Sequence, residues 1–236
     1  MTGPPTSDAA LVLDGLTVRS RRAVGCENVS LRVPPGATYA LLGRERSGKS
    51  SVIRALRGEE KPAAGRAVVG GLDAWKERRA VRRLLGADPA TVIVLDEPDL
   101  RTAETRGSLE RAARRGASTL YTSRDAAGSE GLASRLGILK DGRLVLDDDV
   151  TVLRERFRRI RYRNEDTPTR TDYGTELDAF DAVRVRVRGW GSEAIVSNFS
   201  DERLAALGAM DGVLDVVAER LTLQEIFDAL SPGERP

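Results

Sequence analysis

The stretch from Gly43 to Ser50, GRERSGKS, is the feature that most narrows what this chain can fold into. It spells G-x-x-x-x-G-K-[ST], a loop whose successive backbone N–H groups turn inward and meet an anion at the start of a helix. Such a loop works only between a strand and a helix, and its flanks read as both. ATYALLG is an apolar run that stops at a glycine, and in SSVIRALRG Val52, Ile53 and Leu56 recur at helical spacing. Strand, glycine loop and helix in that order predict a phosphate-binding unit built into an α/β sheet.

The neighbouring sequence extends the pattern. Between Ala10 and Val33, LVLDGLTV and VSLRV read as two short strands; GRAVVGGL reads as a strand and turn, and AWKERRAVRRLLG as a helix. After Pro89, TVIVLDEP is a fully apolar run that predicts a strand buried on both faces of a parallel sheet. AETRGSLERAARRG predicts a helix ending at Gly116, STLYTS a strand, and SEGLASRLGILKDGRLVL a further helix and strand. Alternation of this kind defines the expected fold class: α/β, a mostly parallel sheet with flanking helices.

Past Asp147–Asp149 the character changes. TVLRERFRRIRYR predicts a basic helix carrying the run Arg154–Arg163, and NEDTPTRTDYGTELDAFD a polar connector. Val183, Val185 and Val187 alternate with arginines as on a half-buried strand, with Ser192–Phe199 its expected partner. Helices at Asp201–Leu207 and Leu223–Leu230 flank the apolar run Val213–Val217. The organisation predicted is a disordered leader over residues 1–9, a phosphate-binding domain over 10–149 and a small α+β extension over 150–236.

Composition removes several function classes. Apolar residues make up 40% and charged residues 31% of the chain, ordinary globular usage, and no apolar run approaches a bilayer span. There is no histidine, which excludes histidine bases, metal ligands and pH switches. Cys26 stands alone, so no internal disulfide forms, and the first ten residues lack the basic and apolar regions of a secretory signal; export is not expected. A net charge of +2 calls for no polyanion, and no nucleic-acid partner is expected. The run Arg154–Arg163 reads as a solvated face before it reads as a contact to acidic lipid or nucleic acid, and Asp147–Asp149 as a solvated turn.

The motif assigns roles. Gly43, Ser47, Gly48, Lys49, Ser50 and Ser51 hold the phosphates of ATP, with Lys49 reaching the β and γ groups and the Ser50 hydroxyl on Mg²⁺. Asp96 and Glu97 close the strand TVIVL, at the sheet edge where α/β folds take ligands. Asp96 is the second candidate for Mg²⁺, and Glu97 the catalytic carboxylate that polarises the attacking water.

On these residues the chain resembles the ATP-binding subunits of ABC transporters, with a P-loop NTPase-type sheet. VSLRVPPGATYALLGRERSGKSSVIRALRG is similar to that family's strand, phosphate loop and first helix, LLGADPATVIVLDEP to its acidic strand, and STLYTSRDAAGSEGLASRLGILKDGRLV to its final sheet region. The stretch after Asp149, ending LTLQEIFDALSPG, resembles the C-terminal extension of ABC-2 type exporters. The resemblance implies a cytoplasmic protein, peripheral on the inner membrane face, that works with a separate transmembrane permease and forms a homodimer around ATP. The chain departs from the pattern as well. The run from Ser50 to Leu95 leaves no room for the family's helical subdomain, nothing resembles the signature LSGGQ, and no glutamine lies between the two motifs. Arg124 stands where the family has its switch histidine, the region of Arg19 and Ser20 lacks the adenine-stacking aromatic, and DLRTAE replaces the usual form after Pro98. These departures imply slow hydrolysis; a regulatory or scaffolding ATP-binding module without coupled transport is the alternative reading, and a nucleic-acid-associated ATPase a third. As a γ-phosphate contact, Arg124 ranks behind a solvated loop arginine.

Overall fold

A computed structural model of the chain describes residues 9–19, 25–87, 90–164, 177, 180–189 and 191–232. All but Ala9 of the expected leader, and most of the polar connector, lie outside the described residues. The chain forms two compact units that divide after Asp149.

The first unit contains two sheets. Strands β1 (Leu11–Val18), β2 (Cys26–Val33), β4 (Ala64–Val69) and β5 (Leu72–Asp73) form an antiparallel sheet in the order β2-β1-β4-β5. The second sheet has five strands: β3 (Thr38–Leu42), β6 (Val92–Leu95), β7 (Ser118–Ser123), β8 (Arg135–Lys140) and β9 (Arg143–Asp149), in the order β6-β7-β3-β8-β9. Its first four strands in that order run parallel and β9 returns antiparallel to β8 through the turn at Asp141 and Gly142. β3 is central and buried at all five positions, which is why TYALL carries no charge.

Helix α1 (Lys49–Leu56) contacts strands of both sheets. Its Val52, Ile53, Ala55 and Leu56 share one apolar cluster with Leu11, Val29 and Val69 of the first sheet and Tyr39, Leu41 and Val94 of the second. Burying such a side chain is worth about 1.5–3 kcal/mol, so this helix is fixed by packing on two sides. Helix α2 (Arg78–Leu85) buries Val81 and leaves Arg78, Arg79, Arg82 and Arg83 in solvent. Helix α3 (Ala103–Arg114) starts at Thr102, whose hydroxyl accepts the Thr105 N–H, and ends at Gly116, where φ is +77°.

Two expectations for this unit are corrected. TVIVL forms β6 at the edge of its sheet, paired with β7 alone among the described residues; Val92 and Val94 are buried, whereas Ile93 and Leu95 are half-buried. Its apolar run reflects the packing of α1 and α2 near it, not a neighbour on each side. SEGLAS is no α-helix either: the chain makes a short 3-10 turn at Ala127–Ser129, because Gly128 and Gly131 leave too few consecutive helix formers.

In the second unit, helix α4 (Val150–Arg156) is followed by four antiparallel strands: β10 (Arg158–Asn164), β11 (Ala182–Arg188), β12 (Gly191–Val196) and β13 (Val213–Arg220), ordered β11-β12-β10-β13. Helices α5 (Asp201–Gly208) and α6 (Leu223–Leu230) complete it. One face of the sheet carries Ile160, Tyr162, Ala194 and Val196 into a cluster with Phe180 and Leu207.

The predicted basic helix over Arg154–Arg163 is therefore a correction: it stops at Arg156, and RRIRYRN is the strand β10. The residues that decide this are Ile160 and Tyr162, both fully buried, alternating with arginines at a period of two. Those arginines are not a free basic surface. Arg159 pairs with Glu225 at 2.8 Å, Arg161 with Glu219 at 2.8 Å and Glu193 at 3.2 Å, and Arg163 with Asp215. Two further readings change. Val185 and Val187 are exposed on the edge strand β11, Val187 at 60%. Asp147 and Asp149 end β9 and bind Arg135 at 3.4 and 3.0 Å, and Asp147 also accepts the buried Tyr39 hydroxyl at 3.0 Å, so they form an ion-pair cluster and not a solvated turn.

Glu225 sits in a capping box, accepting the Thr222 N–H at 2.8 Å. Burial by itself raises its carboxyl, but the Thr222 backbone and hydroxyl together with Arg159 outweigh that and hold it below 4.5. A lowered carboxyl stabilises the fold fully above pH 4.5, and the contribution is lost as the pH falls through the folded value. The melting temperature of the full chain should therefore exceed that of Glu225→Gln at pH 7, with the gap closing as the pH drops below 4.5; a gap independent of pH counts against this ion pair.

Candidate functional site

β3 ends at Leu42 in the middle of its sheet, and the loop begins there. The Gly43 N–H donates to the Ser123 carbonyl at 3.1 Å, and a Cβ on Gly43 would lie 2.3 Å from Ser47 Oγ and 2.7 Å from the Leu139 carbonyl. Only glycine fits. Arg46 and Gly48 adopt left-handed backbone, φ 61° and 102°, on either side of Ser47. Alternating handedness of this sort turns neighbouring N–H groups toward one point. Lys49 and Ser50 open α1, where N–H groups have no acceptor within the helix and the dipole favours negative charge. Among the described residues the buried Ser47 hydroxyl has no hydrogen-bond partner. Orphan donors at a helix start, a buried hydroxyl and a wall that tolerates only glycine fit an oxyanion such as a phosphate.

Lys49 is 4% exposed, and its ammonium donates to the carbonyls of Gly43 at 2.9 Å and Arg44 at 3.0 Å. It lies 3.3 Å from Glu97 Oε1. Burial pulls its pKa below the ordinary 10.5; Glu97 and Asp96 oppose the shift and Arg124 adds to it. Ser50 is exposed on the first turn of α1, while Ser51 is buried and its hydroxyl accepts Arg54 Nη2 at 3.4 Å.

Asp96 and Glu97 follow β6. The parallel register sets Leu95 beside Tyr121, so the next residue of β7, Thr122, stands level with the acidic pair. Thr122 donates its hydroxyl to Asp96 Oδ1 at 2.7 Å and accepts the Glu97 N–H at 2.8 Å. Glu97 has φ 44°, a backbone conformation uncommon outside glycine and found at functional positions when surrounding contacts hold it. Its second oxygen lies 3.0 Å from Arg124 Nε. Arg124 is thus not simply a solvated loop arginine: Glu97 is held between two cations. A cavity of about 470 Å³ runs along this side, lined by Glu97, Arg124, Leu100 and Arg101 among others.

The fold thus brings Lys49, Glu97 and Arg124 into direct contact and places Asp96 within electrostatic reach of Lys49. Sequence reasoning missed Thr122, which has no motif of its own and takes its place from the β6–β7 register. It missed the brace behind the loop too. Gly142, at the β8–β9 turn, donates its N–H to Ser47 O at 3.0 Å and accepts the Glu27 N–H at 2.8 Å.

Residues 26–235 match the ABC transporter family. A mouse (Mus musculus) protein, ATP-binding cassette sub-family A member 7, is 34% identical over 98 residues, 41% of this chain and 4% of that protein. Methionine import ATP-binding protein MetN 1 of Rhodopseudomonas palustris is 39% identical over 71 residues, 28% of this chain and 19% of its own length. The matches thus span less than a fifth of these curated relatives. A solved ATP-binding subunit of an ABC transporter superposes with a TM-score of 0.55 at 17% identity, covering 62% of this chain and 92% of that one, a likeness of fold. No helix among the described residues is long and apolar enough to cross a membrane. A glycine-walled loop at a helix start, an acidic pair across from its lysine, and a family match over most of the sequence agree: the chain belongs to the ABC transporter family.

Proposed function

We propose that this protein is an ATP-binding subunit of an ABC transporter system that binds Mg-ATP and hydrolyses it slowly to energise or regulate a separate membrane permease. The observation that carries the reading is the Lys49 ammonium, enclosed by its own loop carbonyls and 3.3 Å from Glu97. Gly43, Ser47, Gly48, Lys49, Ser50 and Ser51 hold the phosphates through N–H groups, hydroxyls and one buried charge. Ser50 and Asp96 are the residues for Mg²⁺, an ion that takes few protein ligands beside substrate phosphates and that neutralises charge developing on them. Thr122 fixes the Asp96 carboxylate, and Glu97 orients and deprotonates the attacking water. In this reading residues 10–149 are the ATP-binding domain and 150–236 an extension of ABC-2 exporter type. The protein works at the cytoplasmic face of the membrane, as a homodimer, without the helical subdomain and signature of its relatives.

One observation favours the second reading, a regulatory ATP-binding module with impaired turnover. Lys49 lies 3.3 Å from one oxygen of Glu97 and Arg124 3.0 Å from the other, so both oxygens are engaged by cations where an attacking water would have to be held. Steady-state phosphate release decides between the two. Measurable turnover that falls at least about a hundredfold in Glu97→Gln, the scale general-base loss produces, supports the ATPase. Tight Mg-ATP binding with no turnover in either protein supports the module. In the module case Arg124→Ala should raise the rate by freeing Glu97; a rate that stays at zero removes Arg124 as the cause.

A further inference from the structure

The strand that leads into Asp96 and Glu97 is open on one side. β6 pairs with β7 through its odd-numbered residues, as the Ser118 N–H to Thr91 carbonyl bond at 2.9 Å establishes. The N–H and C=O groups of Val92 and Val94 therefore point away from the sheet. Among the described residues one of these four groups has a partner: the Val94 carbonyl accepts Arg57 Nη2 at 3.0 Å. Arg57 caps the far end of α1, the helix that begins at Lys49. Beside the edge lies a groove of about 270 Å³, lined by Ile93, Leu95 and Leu85 with Arg57, Arg82 and Glu59 at its rim. The rim continues along α2, which has no acidic residue between Arg78 and Leu85 and exposes Arg79, Arg82 and Arg83. No carboxylate among the described residues pairs with those three.

We propose that β6 and α2 form a docking surface for an extended acidic segment of a partner protein, which adds to the sheet as a sixth strand. The open N–H and C=O row selects an extended backbone, since a helix has satisfied its own groups and a nucleic acid presents no such row. The half-buried Ile93 and Leu95 take apolar side chains at every second position, and the arginines of α2 take carboxylates. A second copy of this chain is the poorer occupant, because pairing β6 with itself draws two α2 helices and their arginines together. The added strand competes with Arg57 for the Val94 carbonyl, so docking loosens the tie between the end of α1 and β6. Docking itself is independent of the nucleotide reading; any effect on ATP rests on it.

The test uses the full chain without nucleotide and a fluorescent peptide of about eight residues, alternating valine and glutamate, near the usual strand length. Fluorescence anisotropy should show binding that weakens with salt and falls at least about tenfold in the double variant Arg82→Glu, Arg83→Glu. A peptide N-methylated at alternate residues should not bind, and amide exchange at Val92 and Val94 should slow on adding the unmodified one. Val94→Pro removes one outward N–H and spares the β7 ladder, so it should weaken binding as well. Should that variant unfold, the N-methylated peptide still decides. Equal binding of the methylated peptide, or of its lysine counterpart, overturns the proposal, as does no binding at all. Self-association abolished by Val94→Pro assigns the edge to a second copy. Anionic vesicles or duplex DNA that bind through Arg82 and Arg83, with Val92 and Val94 still exchanging freely, assign the basic stripe elsewhere.

Discussion

Replacing Lys49 with alanine is expected to weaken Mg-ATP binding by at least about two orders of magnitude, or roughly 2.7 kcal/mol. The ammonium is almost wholly buried and already aimed by the Gly43 and Arg44 carbonyls, so a triphosphate meets it with little solvent between. Opposite charges at such range and low exposure attract several times more strongly than in water, and a charge-assisted hydrogen bond adds to that. The variant also takes the lysine donor from the Gly43 carbonyl, while the Arg44 carbonyl keeps the Ser47 N–H at 3.3 Å; a carbonyl left dry and unpaired costs about 1–3 kcal/mol. Calorimetric titration should therefore be read beside thermal unfolding. Unchanged affinity in a folded Lys49→Ala protein would remove the phosphate site from this loop.

Gly48→Ala is expected to lower stability by more than about 2 kcal/mol and to abolish ATP binding with it. The residue holds φ 102°, and a Cβ there would sit 2.6 Å from the Gly25 carbonyl, an atom of the backbone that cannot swing aside. Gly71 is the control. It too has positive φ, 81°, but a Cβ would meet nothing within 4 Å, so Gly71→Ala should show the backbone term alone, about 1 kcal/mol, and bind ATP normally. Denaturant unfolding of the two variants separates crowding from conformation. Equal losses would mean that the approach of Gly25 to the loop is unimportant.

What could be read in the sequence was whatever neighbouring residues determine. The loop, the strand before it and the helix after it follow from eight consecutive letters and their flanks, and the end of α3 from Gly116, whose φ is +77°. What depends on distant partners could not be read. RRIRYRN has the charge of a solvated helix; it is a strand because Ile160 and Tyr162 enter a core made with distant residues such as Phe180 and Leu207, and its arginines are paired by Glu193, Glu219 and Glu225 from two other strands and a helix. TVIVL is apolar enough for the centre of a sheet, yet the strand order places it at the rim. Thr122 and the pairing of Arg124 with Glu97 likewise come from register between strands far apart in the chain.

The Asp141–Gly142 tip of the β8–β9 hairpin never reaches the reacting groups, yet its Gly142 is fastened to Ser47 through its N–H and to Glu27 through its carbonyl. It behaves as a keystone: the bend that cradles the guest is already set when the guest is away, so little ordering entropy is charged to the encounter. Drift in that remote hairpin would accordingly surface as lost grip, though no letter of the familiar motif had changed.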